Sequence, residues 1–189
     1  MSEFEFLDGQ LHAEGVPLSK IAEEYGTPTF VYSKASIVTA YENFQAAFSG
    51  HDHQICYAVK ANSNLGILSL LASMGSGFDI VSGGELQRVL KAGGEAAKVV
   101  FSGVGKQAWA IELAIEKGIG CFNLESDSEL NLVNEIAARL NKIAAISVRV
   151  NPDVDAKTHP YTATGLKENK FGVSAREAVA IYRRAAKLS

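Results

Sequence analysis

Cysteine is scarce in this chain of 189 residues: the only two, Cys56 and Cys121, lie far apart, each inside an apolar run. That excludes a disulfide framework and predicts two buried, reduced thiols in a cytoplasmic protein. An excess of positive charge is also missing. Lys and Arg together number 18 against 21 Asp and Glu, for a net charge of −3, and no basic stripe interleaved with aromatics occurs. No nucleic-acid partner is expected. No stretch approaches the roughly 18 uncharged apolar residues of a membrane span. The opening MSEFEFLDGQ is acidic and carries no apolar core of a signal peptide, so neither membrane insertion nor secretion is expected. His51 and His53 have H-x-H spacing without a third ligand nearby, and the stretch reads as a polar turn and not a metal site. The glycine turns SGGE (82–85) and SGVG (102–105) are not a GxGxxG fingerprint, although either could approach a phosphate.

What is present is a regular beat. Apolar, β-branched or aromatic runs occur at TFVYS (29–33), QICYAV (54–59), GFDIV (77–81), KVVFS (98–102), GCFNL (120–124) and AAISVRV (144–150), with helical segments between them. Ser33 and Asn64 are N-cap candidates, and Ser82 with Glu85 reads as a capping box that opens a helix closed by Gly93. Residues 107–117, 128–141 and 174–188 have amphipathic spacing, on which Trp109 is most simply packing. From 54 onward the strand centres fall near 57, 79, 100, 122 and 147, one βα unit every 21 to 25 residues. Short unbroken apolar strands alternating with helices predict an α/β fold with a parallel sheet, read as part of a (β/α)8 TIM barrel. Five units are visible where eight are needed, so the chain reads as truncated.

Two stretches fall outside the beat. Residues 1–28 precede it and end in a short helix, LSKIAEEYG, that breaks at Gly26 and Pro28. The other, NPDVDAKTHPYTATGLKENKFG (151–172), is a long polar loop after a strand, where barrel enzymes place their sites; His159 is read as shaping it.

Strand parity sorts the faces. In 55–60 the bulky Ile55, Tyr57 and Val59 should pack on helices, leaving Cys56, Ala58 and Lys60 inside. The same alternation turns Asp79, Ser102, Asn123, Ser147 and Arg149 inward. A polar cluster of this kind is costly unless it binds a polar ligand. A lysine kept from bulk water is also a nucleophile, so Lys60 is a Schiff-base lysine, one member of an ion-paired network with Asp79 and Arg149, or an ordinary lysine at a strand terminus.

At these residues FVYS, YAVKANSN, GFDIVSGGEL, RVNPDVDAKTHPYTATG and KFG together resemble the diaminopimelate decarboxylases, within the alanine-racemase-like, fold-type III family of pyridoxal-phosphate enzymes. VKAN alone would suit ornithine or arginine decarboxylases; the NPDVDAKTHPYTATG loop favours the diaminopimelate enzymes. The resemblance implies pyridoxal 5′-phosphate carried by Lys60, with Asp79 and Arg149 as cofactor-binding positions and Glu85 at a further family position. It also implies an amino-acid substrate, a homodimer for the full-length enzyme, and a domain division into 1–28, belonging to a C-terminal β-domain, and 29–189, the N-terminal part of the barrel. The ring-stacking histidine, the phosphate loops and the substrate-binding residues of the family lie beyond Ser189. The piece alone is expected to bind cofactor weakly and turn over little. The competing readings are a decarboxylase of ornithine, arginine or carboxynorspermidine, a non-catalytic pyridoxal-phosphate carrier, and a purely structural fragment without cofactor.

Overall fold

Runs rich in β-branched and aromatic residues become strands here, and the segments with an apolar stripe between them become helices. The computed structural model describes residues 3–152 and 171–188. Contacts divide the chain into two compact units, Met1–His53 and Gln54–Ser189.

The first unit opens with three short antiparallel strands, β1 (Phe4–Leu7), β2 (Gln10–Ala13) and β3 (Val16–Pro17). Their turns are Asp8-Gly9 and Glu14-Gly15, with φ of 50°, 77°, 49° and 81°. Two consecutive positive φ values give the turn twist that matches paired strands, which is why each turn ends in glycine. Helix α1 (Leu18–Tyr25) stops at Gly26, as the sequence predicts, and α2 (Lys34–Ala47) starts at Ser33, whose hydroxyl accepts the Ser36 N–H. The run at 29–33 is not a strand. Phe30 and Tyr32 are exposed and stacked on each other with ring centroids 6.4 Å apart. Pro28 at one end has no N–H, and Ser33 at the other is committed to capping, so the run lacks the paired ends of a strand.

Glu14 ties this unit together. Its Oε1 accepts from Ser33 Oγ at 2.6 Å and from Ala35 N at 2.8 Å, so the β2–β3 turn supplies an anion to the start of α2. The Ser33 hydroxyl first, and the Ala35 N–H second, hold the Glu14 carboxyl below its ordinary value of 4.5. A depressed carboxylate stabilises above its unfolded value, and that contribution is lost as pH falls through the folded value. Acidification below pH 4.5 is therefore expected to loosen the start of α2, seen as faster amide exchange at Ala35 and Ser36. Glu14→Gln should abolish most of that pH dependence; an unchanged profile would remove Glu14 from this role.

The second unit is the βα repeat. Its strands are β4 (Cys56–Ala58), β5 (Gly77–Ile80), β6 (Val99–Phe101), β7 (Cys121–Leu124) and β8 (Ile146–Val148). The helices are α3 (Leu65–Ser73), α4 (Gly83–Lys91), α5 (Ala108–Lys117), α6 (Asp127–Arg139) and α7 (Ala175–Ala185). The five strands are parallel and lie in chain order, β4-β5-β6-β7-β8, which is a partial barrel wall. Asn64, Ser82, Ser126 and Ser174 cap α3, α4, α6 and α7. The expected Ser82–Glu85 box forms only in part: Glu85 Oε2 accepts from Val81 N and not from Ser82 N.

The core lies between the sheet's outer face and the helices. Phe78, Ile80, Val99, Phe101 and Leu124 on the strands are fully buried, and so are Leu86, Val89, Ile111 and Ala114 on the helices. Each such apolar side chain contributes about 1.5–3 kcal/mol relative to exposure. A Cβ at Gly83 would run into the ring of Trp109 and stand 2.9 Å from Ala110 Cβ, so glycine here lets α4 and α5 approach closely. The parity reading thus holds for the bulky set. The cysteines follow the same alternation, and both are free as expected; they are half-buried and not buried, because each shares the inner face with the polar residues.

Candidate active site

The inner face is small or polar for most of its length and opens at the C-terminal ends of the strands. There Lys60, Asp79, Ser102, Asn123, Ser147 and Arg149 line one cavity of about 700 Å³, joined by Val81, Gly103, Glu125 and Phe171. Every residue that alternation turns inward at this rim is therefore brought together.

Lys60 reaches it by a different route from the one expected. Strand β4 stops at Ala58, and residues 59–61 form a single tight turn, with Val59 fully buried and Lys60 exposed. The polar residues that follow build the corner. Asn62 Oδ1 accepts from Asn64 N at 3.0 Å, Asn64 Oδ1 accepts from Gly66 N at 2.8 Å, and Arg88 donates to the Ser63 carbonyl at 3.2 Å. The corner is held by side chains on backbone, which leaves the lysine uncommitted. Among the described residues Lys60 has neither a hydrogen-bond nor an ion-pair partner.

The ion-network reading of Lys60, Asp79 and Arg149 is overturned. Asp79 Oδ1 accepts from Ser102 Oγ. Arg149 pairs with Glu125 at 3.0 Å, and its guanidinium lies 4.8 Å from the centre of the Phe171 ring. Glu125 also accepts from Gly172 N at 2.9 Å, while Val173 N donates to Arg149 O and Asn151 N to Val173 O. These bonds join the two ends of the 151–172 stretch beneath the cavity. Gly172 has φ of 73°, and a Cβ there would stand 2.8 Å from Arg149 O, so only glycine fits that closure. The loop's interior, with His159, lies outside the described residues.

Glu125, Lys106 and Glu129 escape the sequence reading. Lys106 has a fully buried side chain whose Nζ donates to Gly103 O at 2.8 Å, Asn123 O at 2.7 Å and both oxygens of Glu129 at 3.1 and 3.2 Å. Glu129 Oε2 in turn accepts from Glu125 N at 2.8 Å. Glu125 shares the parity of Asn123, and Glu129 stands three residues past Ser126, so both carried a legible signal. Lys106 carried none, since it sits in a glycine loop without periodicity. At the other end of β4's approach, the two ring nitrogens of His53 meet His51 O at 2.8 Å and Gln45 Oε1 at 2.5 Å, which supports the polar-turn reading of the H-x-H pair.

Residues 34–189 match the family model described as pyridoxal-dependent decarboxylase, pyridoxal binding domain. The chain is 58% identical over 188 residues to the diaminopimelate decarboxylase of Pseudomonas aeruginosa and 55% identical over 188 residues to that of Haemophilus influenzae. It spans all of itself but only 45% of either relative. Among solved structures, Helicobacter pylori diaminopimelate decarboxylase complexed with L-lysine matches with a TM-score of 0.88 at 49% identity, covering 91% of this chain and 44% of that one. The M. jannaschii enzyme in complex with L-lysine gives 0.90 at 39%, covering 98% and 45%. The fold, the inward lysine and these matches agree: the chain belongs to the pyridoxal-dependent decarboxylase family, over its pyridoxal binding domain.

Proposed function

We propose that the cavity holds pyridoxal 5′-phosphate on Lys60. We further propose that the chain is the cofactor-carrying part of an enzyme that decarboxylates meso-2,6-diaminopimelate to L-lysine and CO2, the last step of lysine biosynthesis. The observation that carries this is Lys60 itself, a primary amine in a polar cavity without a partner among the described residues. The residues present fit the group: the amine is uncommitted, small residues lie beneath it in β4, and the cavity is walled by hydrogen-bonding side chains. Similarity to enzymes named for diaminopimelate, two of them solved with L-lysine, supports the substrate.

When bound, the cofactor supplies a conjugated cationic ring that takes up the electron pair left by a departing carboxylate. The chain supplies placement. Lys60 Nζ would hold the cofactor through its aldehyde carbon, and as a free amine at the rim would be the group placed to hand a proton to the substrate carbon. Asp79 puts a carboxylate on the adjacent strand, and Arg149, steadied by Glu125, puts a guanidinium across the rim. In this reading residues 29–189 contribute to the barrel and 1–28 to a β-domain of a cytoplasmic homodimer.

The test is a trapping experiment. The purified chain is mixed with pyridoxal 5′-phosphate, reduced with borohydride and digested, and the modified lysine is located by mass. Label concentrated at Lys60, and lost from that peptide in Lys60→Ala, is expected. Even labelling across the lysines would overturn the assignment.

A further inference from the structure

Four inward side chains, one from each of β5 to β8 or from the residue just past a strand's end, form an unbroken hydrogen-bonded row. Ser147 Oγ donates to Asn123 Oδ1, Asn123 Nδ2 donates to Ser102 Oγ at 2.9 Å, and Ser102 Oγ donates to Asp79 Oδ1. Strand register sets this up: Asn123 faces Ser147, and the pairing of Val100 with Cys121 brings Ser102 level with Asn123.

The direction of the row follows from its acidic end. An ionised carboxylate only accepts, so the one hydroxyl proton of Ser102 must point at Asp79. Ser102 then offers β7 only lone pairs. That turns the amide nitrogen of Asn123 toward Ser102 and its oxygen toward Ser147, which must donate. Chains of this kind polarise one another, so a change at one end is felt at the other. Asp79 Oδ2 has no donor among the described residues, and Lys60 on the same cavity has no partner either. One carboxylate oxygen is thus fixed by the row and the other is left for a ligand.

We infer that Ser102, Asn123 and Ser147 are positioning residues that hold Asp79 by Oδ1 so that Oδ2 meets a hydrogen-bond donor or positive charge on the ligand carried by Lys60. This rests on the cofactor reading above. A row that only filled the interior would lose stability when cut but would leave ligand affinity at Lys60 alone.

The test uses the whole chain with pyridoxal 5′-phosphate, titrated by absorbance and trapped with borohydride, with circular dichroism as the check on folding. Ser102→Ala should weaken binding about tenfold or more, the scale of one charge-assisted hydrogen bond, and Ser102→Thr should restore it. Ser147→Ala, two links away, should weaken it by roughly two- to threefold with the label still at Lys60. A second readout needs no cofactor. The ¹³C resonance of the Asp79 carboxylate should move in Ser102→Ala and, by less, in Ser147→Ala. Unchanged affinity in folded Ser102→Ala, or a carboxylate resonance that stays put in both variants, overturns the inference. If the unaltered chain does not label at Lys60, the cofactor reading fails separately, and the resonance alone decides the role of the row.

Discussion

Lys106→Met is expected to destabilise the second unit by about 3–5 kcal/mol, because it removes one partner of a buried ion pair and leaves the other charge behind. Nothing exposed replaces what is lost. The ammonium satisfies two carbonyls and the Glu129 carboxylate at once, and so fastens the β6–α5 loop to the end of β7 and the start of α6. The measurement is the urea midpoint with its slope, and the second variant is the informative one. Adding Glu129→Gln to Lys106→Met removes the stranded charge, while the amide oxygen still accepts the Glu125 N–H. The double variant should therefore recover much of the loss, a non-additivity that contact between the two sites requires. Equal losses in the single and double variants would show that the cost lies in the two abandoned carbonyls and not in a stranded Glu129 charge.

Glu125→Ala should cost about 2–3 kcal/mol by deleting the acceptor of two hydrogen bonds, one to Arg149 and one to Gly172 N. The fully buried estimate for an ion pair does not apply, since the Arg149 side chain remains 40% exposed and water screens it. The sharper consequence is local. The amides of Gly172 and Val173 should exchange faster, because the clasp beneath the cavity has lost one of its bonds while the pairing of Val173 with Arg149 persists. Glu125→Gln keeps an acceptor for Gly172 and should retain most of that protection. Protection of Gly172 in Glu125→Ala equal to the unaltered chain would exclude the carboxylate from holding the loop base.

Much of this arrangement is legible from alternation alone. A period of two in GFDIV, GCFNL and ISVRV places Asp79, Asn123, Ser147 and Arg149 on one face, because the residues between them are large and apolar and have only the helical side to fill. Caps at Ser33, Asn64 and Ser82 are equally plain, since a short polar side chain before an apolar stripe has one economical use. The misreadings arise where a residue's partner is remote in sequence. TFVYS has the composition of a strand but no paired neighbour, and composition does not report neighbours. Arg149 is a cation whose partner, Glu125, comes from the preceding strand's end, 24 positions earlier. Lys106 draws its remote partners from the end of β7 and the first turn of α6. Each of these depends on which strand ends lie side by side, a property of the assembled wall that no single stretch carries.

The order of the wall has a consequence for how it is made. Each strand lies beside the one synthesised just before it, so every new βα unit can dock as soon as it leaves the ribosome, without waiting for later sequence. The loop that must close for each addition is about one unit long, and its entropy penalty stays nearly constant along the chain. At every stage the growing wall ends in one unpaired strand. That bare edge is both the template for the next unit and, if synthesis stalls, the place where another copy would attach.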